Sequence, residues 1–247
     1  MTDLLLVEDD GQNSREPDSA AAASMLHTIN GGNQTVGEAI KRLVLGYIPS
    51  NRCNLRCKYC HNPEMWQKKE NNISAQDLVN RILRMRPYFK NNGGVTFSGG
   101  EPLLQSSFLL EVLPLLKKEK ISVNSSHQHK VFDTAGFCTK DTAEILDYVD
   151  LVLLDIKHTS KEAYQELTGQ DISHVEEFIK ILNTKNKQVW IRQVIVPGLT
   201  DSEEYLQSLN AYLQKIKNIA RVDFLPYHNL GKSKYEELNI PYPYASL

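Results

Sequence analysis

Apolar and polar positions fall into blocks along this chain that predict strands and helices in turn. Leu43-Val44-Leu45-Gly46-Tyr47-Ile48 is a short apolar run of the kind that forms a buried strand. Ser74-Ala75-Gln76-Asp77 is a capping box, and the pattern after it predicts a helix to about residue 88. The rhythm then continues through a strand at 94–98, a helix at 106–118, a strand ending in Lys130-Val131-Phe132-Asp133 and a helix at 139–147. Leu151-Val152-Leu153-Leu154-Asp155 predicts a strand covered on both faces. A helix at 173–185, a strand at 188–196, a helix at 201–216 and a strand at 222–225 complete the series. Strands alternating with helices predict an α/β fold with a parallel sheet. Polar residues gather where these strands end, at Ser98, Asp133, Asp155 and Tyr227-His228, which is the edge where such folds build their sites.

Residues 1–28 break the rhythm with the polar run Glu8-Asp9-Asp10-Gly11-Gln12-Asn13-Ser14-Arg15 and a stretch of small residues. They are expected to be a disordered tail, leaving 29–247 as one domain. The net charge of -2 argues against nucleic acid as a partner. No apolar run is long enough to span a membrane, and the N-terminus makes a poor signal peptide, so a cytoplasmic protein is expected.

Three of the four cysteines sit together in Arg52-Cys53-Asn54-Leu55-Arg56-Cys57-Lys58-Tyr59-Cys60-His61, spaced Cys-x3-Cys-x2-Cys. In a reducing compartment such a group reads as metal-binding. Three thiolates on one loop can hold three corners of a cubic iron–sulfur cluster and leave the fourth iron open to a substrate. Cys57-Lys58-Tyr59-Cys60-His61 also matches a c-type haem motif, but that reading leaves Cys53 unexplained and lacks an export signal. A zinc site using His61 would need ligands at adjacent positions, and incidental free thiols would not need this spacing. Cys138 reads as an isolated buried thiol.

With Ser98-Gly99-Gly100-Glu101-Pro102 about forty residues downstream, at the end of the next strand, the chain resembles the radical S-adenosylmethionine superfamily. Further runs narrow the resemblance to the activating enzymes of glycyl radical enzymes, and most closely to those that act on pyruvate formate-lyase. These are Tyr59-Cys60-His61-Asn62-Pro63, Asp133-Thr134-Ala135-Gly136-Phe137, Leu153-Leu154-Asp155-Ile156-Lys157, Trp190-Ile191-Arg192, Val196-Pro197-Gly198-Leu199-Thr200-Asp201 and Leu225-Pro226-Tyr227-His228-Asn229-Leu230-Gly231. The cysteine-rich ferredoxin-like insert of many other activases is missing, which favours that group.

The resemblance implies a partial, open (β/α)6 TIM-like barrel that takes in a loop of a partner glycyl radical enzyme. It implies a [4Fe–4S] cluster on Cys53, Cys57 and Cys60, and S-adenosylmethionine on its open iron. Ser98, Gly99, Gly100 and Glu101 would hold the methionine ammonium, and Lys157 and His228 would line the carboxylate and ribose. Tyr59, His61, Val194 and Leu225 would surround the adenine. Asp133, Thr134 and Asp155 would form a monovalent-cation site. Arg192 and His228 would face the partner's glycine loop, and Arg192 could equally be held in a salt bridge. The electron donor would be a flavodoxin or ferredoxin, and the protein a monomer.

Three departures stand out. Thr35-Val36-Gly37-Glu38-Ala39-Ile40-Lys41-Arg42 lacks the aspartate and Gly-Pro-Gly turn that the family carries there, where it helps hold the partner's glycine loop. The polar stretch 124–130 precedes the third strand's end, and the sequence stops soon after Tyr242-Pro243-Tyr244, short of the family's usual last helix. These motivate two other readings, an activase for a different glycyl radical enzyme and a non-catalytic relative that binds S-adenosylmethionine or a partner. A zinc-binding structural protein is a more remote third.

Overall fold

The computed structural model of the chain describes residues 52–67, 73–89, 94–119 and 129–245, with the backbone of 6–8 and 43–47. The departures at 35–42 and 124–128, and nearly all of the expected tail, lie outside the described residues. Among the described residues seven strands form one sheet in sequence order: β1 (Leu6–Glu8), β2 (Leu43–Tyr47), β3 (Gly94–Phe97), β4 (His129–Thr134), β5 (Leu151–Asp155), β6 (Gln188–Ile195) and β7 (Ile219–Pro226). From β2 to β7 every neighbouring pair is parallel. The order never reverses, so the sheet advances as an open barrel wall rather than as a doubly wound sheet. β1 pairs antiparallel with β2 at the edge, so Leu6–Glu8 is a strand where a disordered tail was expected. Its apolar residues favour a pleated edge once β2 offers free backbone groups.

Among the described residues the α-helices are α1 (Ala75–Arg84), α2 (Ser106–Lys118), α3 (Thr142–Tyr148), α4 (Lys161–Thr168), α5 (Ser173–Thr184), α6 (Glu203–Leu213) and α7 (Lys232–Glu237). The capping box forms as expected. The Ser74 hydroxyl accepts from the Asp77 N–H at 3.1 Å and donates to the Asp77 carboxylate at 2.7 Å. Helical spacing buries Leu78, Val79 and Ile82 on α1, Leu109, Val112, Leu113 and Leu116 on α2, and Val175, Phe178, Ile179 and Leu182 on α5. Two helices went unforeseen. α4 makes the β5–β6 crossover a double one, starting at the Ser160 cap and ending at Gly169 with φ 72°. α7 follows β7 and buries Tyr235.

The helices pack on one face of the sheet. Val95, Phe97, Phe132, Val152, Leu154, Val189, Ile191, Val222 and Phe224 join them in one core. Strand alternation then turns Asp133, Asp155, Arg192 and Asp223 to the other face, the lumen of the open barrel. A charged lumen and an apolar outer layer both follow from the period of two.

Phe132 has no exposed surface and its ring lies 6.2 Å from that of Phe97. Phe132→Ala is expected to cost about 3–5 kcal/mol of stability, read from the midpoint of denaturant unfolding of the apoprotein.

Candidate active site

The cysteine loop leaves β2 at the C-terminal edge of the sheet, and neighbouring elements grip it by its backbone. The Glu101 N–H donates to the Arg52 carbonyl at 2.9 Å. The Arg56 and Lys58 N–H groups donate to Thr168 and Leu167 carbonyls at the end of α4, at 2.7 and 3.0 Å. Gln170 Nε2 reaches the Asn54 carbonyl at 3.0 Å. From the far edge, Lys234 Nζ binds Asn62 Oδ1 and Glu64 Oε1, the latter at 2.7 Å.

Two glycines make these approaches possible. A methyl group on Gly100 would lie 2.2 Å from the Arg52 carbonyl oxygen and 2.7 Å from Cys53 Cβ, and one on Gly231 would lie 2.5 Å from His61 Cα. Gly99 holds φ at 138°, a conformation open mainly to glycine.

Cys57 is buried, and Cys53 and Cys60 are partly exposed. Burial pushes the Cys53 thiol up to about 11, with Glu101 and Cys60 adding to the rise, and the Cys57 thiol up to about 12, with Cys60 and Cys53 adding to it. Among the described residues, no three His, Cys, Asp or Glu side chains converge to hold one metal ion. In a cubane each thiolate takes a different iron, so the three sulfurs need not meet at one point. The loop also holds polar atoms with no partner among the described residues: both ends of the Asn54 amide and the Tyr59 hydroxyl are buried and unpaired there. Three soft donors beside orphaned polar groups suit a sulfur-rich cluster and a bound polar ligand.

The polar groups at the strand ends do meet. Arg192 joins Asp133 and Asp155, the latter from Nε at 2.7 Å, and Lys157 Nζ holds the other Asp155 oxygen at 2.9 Å. Ser98 Oγ donates to Asp133 at 2.9 Å. Although burial opposes ionisation, Lys157 and Arg192 hold the Asp155 carboxyl down at about 2. Burial, with Asp155 competing for the same guanidinium, keeps the Asp133 carboxyl above its ordinary value. Burial also opposes the Lys157 ammonium, yet Asp155 raises it well above the usual range. Arg192 is thus held in salt bridges in this state, and the Lys157 side chain is largely buried.

Beside this network lies a small apolar cluster. Tyr59 and Val196 are buried with Leu167, and Val194, Leu199 and Tyr227 pack on them. Leu225 stands opposite Val194 in the sheet register and remains partly exposed. The Lys157 ammonium sits 5.7 Å over the Tyr59 ring, and the His61 and His228 rings are 5.0 Å apart. Burial and the neighbouring His228 lower the His61 imidazolium.

Two expectations need correction. Glu101 does not present a free carboxylate to a ligand. It is 1% exposed and accepts from Thr134 Oγ1 at 2.7 Å, Leu103 N–H at 3.1 Å and Ala135 N–H at 2.9 Å, tying the glycine turn to the end of β4. Thr134 likewise points away from the two aspartates, since alternation along β4 turns its hydroxyl to Glu101. Only its main chain is left for a cation beside Asp133. Asn54, Thr168 and Gln170 were missed altogether, and only the Ser160 and Gly169 helix stops hinted at the α4 clamp.

The comparisons agree with this geometry. The model of the Radical SAM superfamily matches residues 47–209. Among solved structures, native anSMEcpe with bound AdoMet overlays with a TM-score of 0.59 at 19% identity, over 74% of this chain and 52% of that one. Streptococcus suis SuiB overlays with a TM-score of 0.59 at 19% identity, over 76% of this chain and 40% of that one. The chain spans about half the length of those structures or less, and what they share is the radical SAM fold. A curated pyruvate formate-lyase-activating enzyme from Clostridium pasteurianum is 42% identical over 88% of this chain and 87% of its own length. One from Staphylococcus epidermidis is 36% identical over 88% and 86%. The chain belongs to the radical SAM superfamily and, within it, to the family of the pyruvate formate-lyase-activating enzymes.

Two outcomes follow for the glycine turn. Gly100→Ala is expected to fold but to push the cysteine loop aside, so that iron and sulfide analysis after anaerobic reconstitution finds little bound cluster. Burial pushes the Glu101 carboxyl from 4.5 up to about 7. Between those values the folded protein keeps a proton that the unfolded chain has released, so stability falls as pH rises from about 4.5 to about 7 and then levels off. Glu101→Gln is expected to flatten that slope in melts across the window. It should also melt lower than wild type at pH 7, because an amide cannot accept all three hydrogen bonds.

Proposed function

We propose that this chain activates a glycyl radical enzyme, with pyruvate formate-lyase as its protein substrate. The observation that carries the reading is the loop of Cys53, Cys57 and Cys60, gripped at the sheet edge beside an apolar cluster and a charged network. The names of the curated relatives support it. A bound [4Fe–4S] cluster would supply one electron to split the sulfonium of S-adenosylmethionine into methionine and a 5′-deoxyadenosyl radical, which takes a hydrogen atom from a glycine Cα of the partner and leaves a glycyl radical.

The chain's own residues bind, orient and exclude water. Cys53, Cys57 and Cys60 hold three irons as thiolates. The backbone carbonyls of Ser98, Gly99 and Gly100 accept from the methionine ammonium, while Glu101 fixes their turn from behind. Lys157, 14% exposed and already paired, offers a fixed positive charge to the methionine carboxylate, and His228 flanks the ribose. Tyr59, His61, Val194 and Leu225 enclose the adenine, and adenine burial would cover the exposed face of Leu225. Arg192 and His228 meet the partner's glycine loop. Asp133, Thr134 and Asp155 make the corner for a monovalent cation, where the Arg192 guanidinium supplies the compensating charge in the ligand-free state. A flavodoxin or ferredoxin brings the electron, and the protein works as a monomer in the cytoplasm. No helix among the described residues is long and apolar enough to cross a membrane.

A second reading is an activase for another glycyl radical enzyme, favoured by the 35–42 sequence, which lacks the family's Gly-Pro-Gly turn.

The test is anaerobic reconstitution, reduction with dithionite and addition of S-adenosylmethionine. Wild type is expected to release 5′-deoxyadenosine and Cys57→Ala to release none above background. Adding pyruvate formate-lyase is expected to raise a glycyl radical signal in electron paramagnetic resonance. Release without that signal favours the second reading, and a loaded, reduced protein with no release defeats both.

A further inference from the structure

The cysteine loop directs a hydrogen-bond donor at one of its own sulfurs. The Asn62 N–H points at Cys60 Sγ at 3.4 Å. Between the first two cysteines sits Asn54. Both atoms of its amide are shut off from solvent, and neither has a partner among the described residues. A buried amide left so forfeits the hydrogen bonds that water gives it in the unfolded chain.

The nearby backbone offers it little. The carbonyls of Arg52, Cys53, Asn54 and Leu55 already accept from Glu101 N–H, Arg56 Nη1, Gln170 Nε2 and Arg56 Nη1 respectively. The Cys57 carbonyl accepts from the Cys60 N–H at 2.9 Å. Those carbonyls are engaged, and the sulfurs of Cys53, Cys57 and Cys60 are further acceptors carried by the same loop. Hydrogen bonds to cluster sulfurs stabilise the more negatively charged, reduced state and so raise its potential.

We propose that Asn54 is a positioning residue for electron uptake, its amide N–H groups donating to the sulfur shell of the cluster held by Cys53, Cys57 and Cys60 and favouring the reduced form. The step is a one-electron gain from the external reductant, with no bond made or broken. The acceptor end of the amide is left for a donor on the bound ligand. This inference rests on the radical S-adenosylmethionine reading of the loop.

The experiment is a redox titration of the reconstituted cluster, followed by electron paramagnetic resonance, in wild type, Asn54→Leu and Asn54→Ser. Iron and sulfide content and circular dichroism are measured alongside. Asn54→Leu keeps the volume and removes both donors. It is expected to hold the cluster and to lose about tenfold of the reduced form's preference, a midpoint about 59 mV more negative. Asn54→Ser keeps one donor and is expected to shift less, in the same direction. If the leucine variant loses its fold, the serine variant carries the test alone. A folded, loaded variant with the wild-type midpoint would overturn the proposal, as would loss of the cluster from both folded variants, which would make Asn54 structural. A wild type that binds no iron and sulfide would defeat the underlying reading and this proposal together. A loaded wild type with unshifted variants would defeat only the proposal.

Discussion

Everything in this site depends on how closely the glycine turn after β3 approaches the cysteine loop. Gly100 lies against the Arg52 carbonyl and Cys53 with no space for a methyl group, and the next residue's N–H closes a hydrogen bond across the gap. A side chain there would have to move the backbone that aims the first cysteine. The turn is in turn fixed by Glu101, whose buried carboxylate gathers donors from the turn and from the end of β4. The order of causes runs from β4 through Glu101 to the turn, and from the turn to the thiols. A chelating loop without regular structure of its own is thereby held about as firmly as the sheet edge that carries it.

The charged network is a second consequence of the sheet. Register places Asp155 opposite Arg192 and Arg192 opposite Asp223, all on the lumen face. A guanidinium between two carboxylates, with a lysine on one of them, leaves the lumen nearly neutral without a ligand. Removing one member would strand charge in a poorly solvated place, which costs more than such a pair contributes. These groups are therefore held in fixed positions before any ligand arrives, and a zwitterionic ligand meets an environment that needs little rearrangement.

Much of this was legible in the sequence because it is written in residue type and period. The Cys-x3-Cys-x2-Cys spacing, the uniformly apolar β5 and the polar residues at the ends of β3, β4 and β5 all specify themselves. The grouping of Tyr59, Val194 and Leu225 came from the family resemblance, and strand register sets the last two side by side. The rest depends on backbone hydrogen bonds and on which way a side chain turns. Nothing in the letters of Thr168 or Gln170 says that their neighbourhood holds Asn54 and Arg56. Glu101 and Thr134 were read by identity as ligand-facing, whereas buried backbone donors at the end of β4 and the 3-10 turn claimed the carboxylate. α4 was missed because one helix per crossover was assumed, although its Ser160 cap and Gly169 stop were both present. Leu6–Glu8 was read with the polar segment behind it, and pairing with β2 outweighed that composition.

The central claim is that three cysteines hold a cluster with one iron left open for S-adenosylmethionine. The most direct measurement is the electron paramagnetic resonance spectrum of the reduced, reconstituted protein with and without S-adenosylmethionine. Binding of the methionine amine and carboxylate at the open iron predicts a cluster signal whose g-values change on addition. An intact cluster signal that stays the same at saturating S-adenosylmethionine would contradict the account.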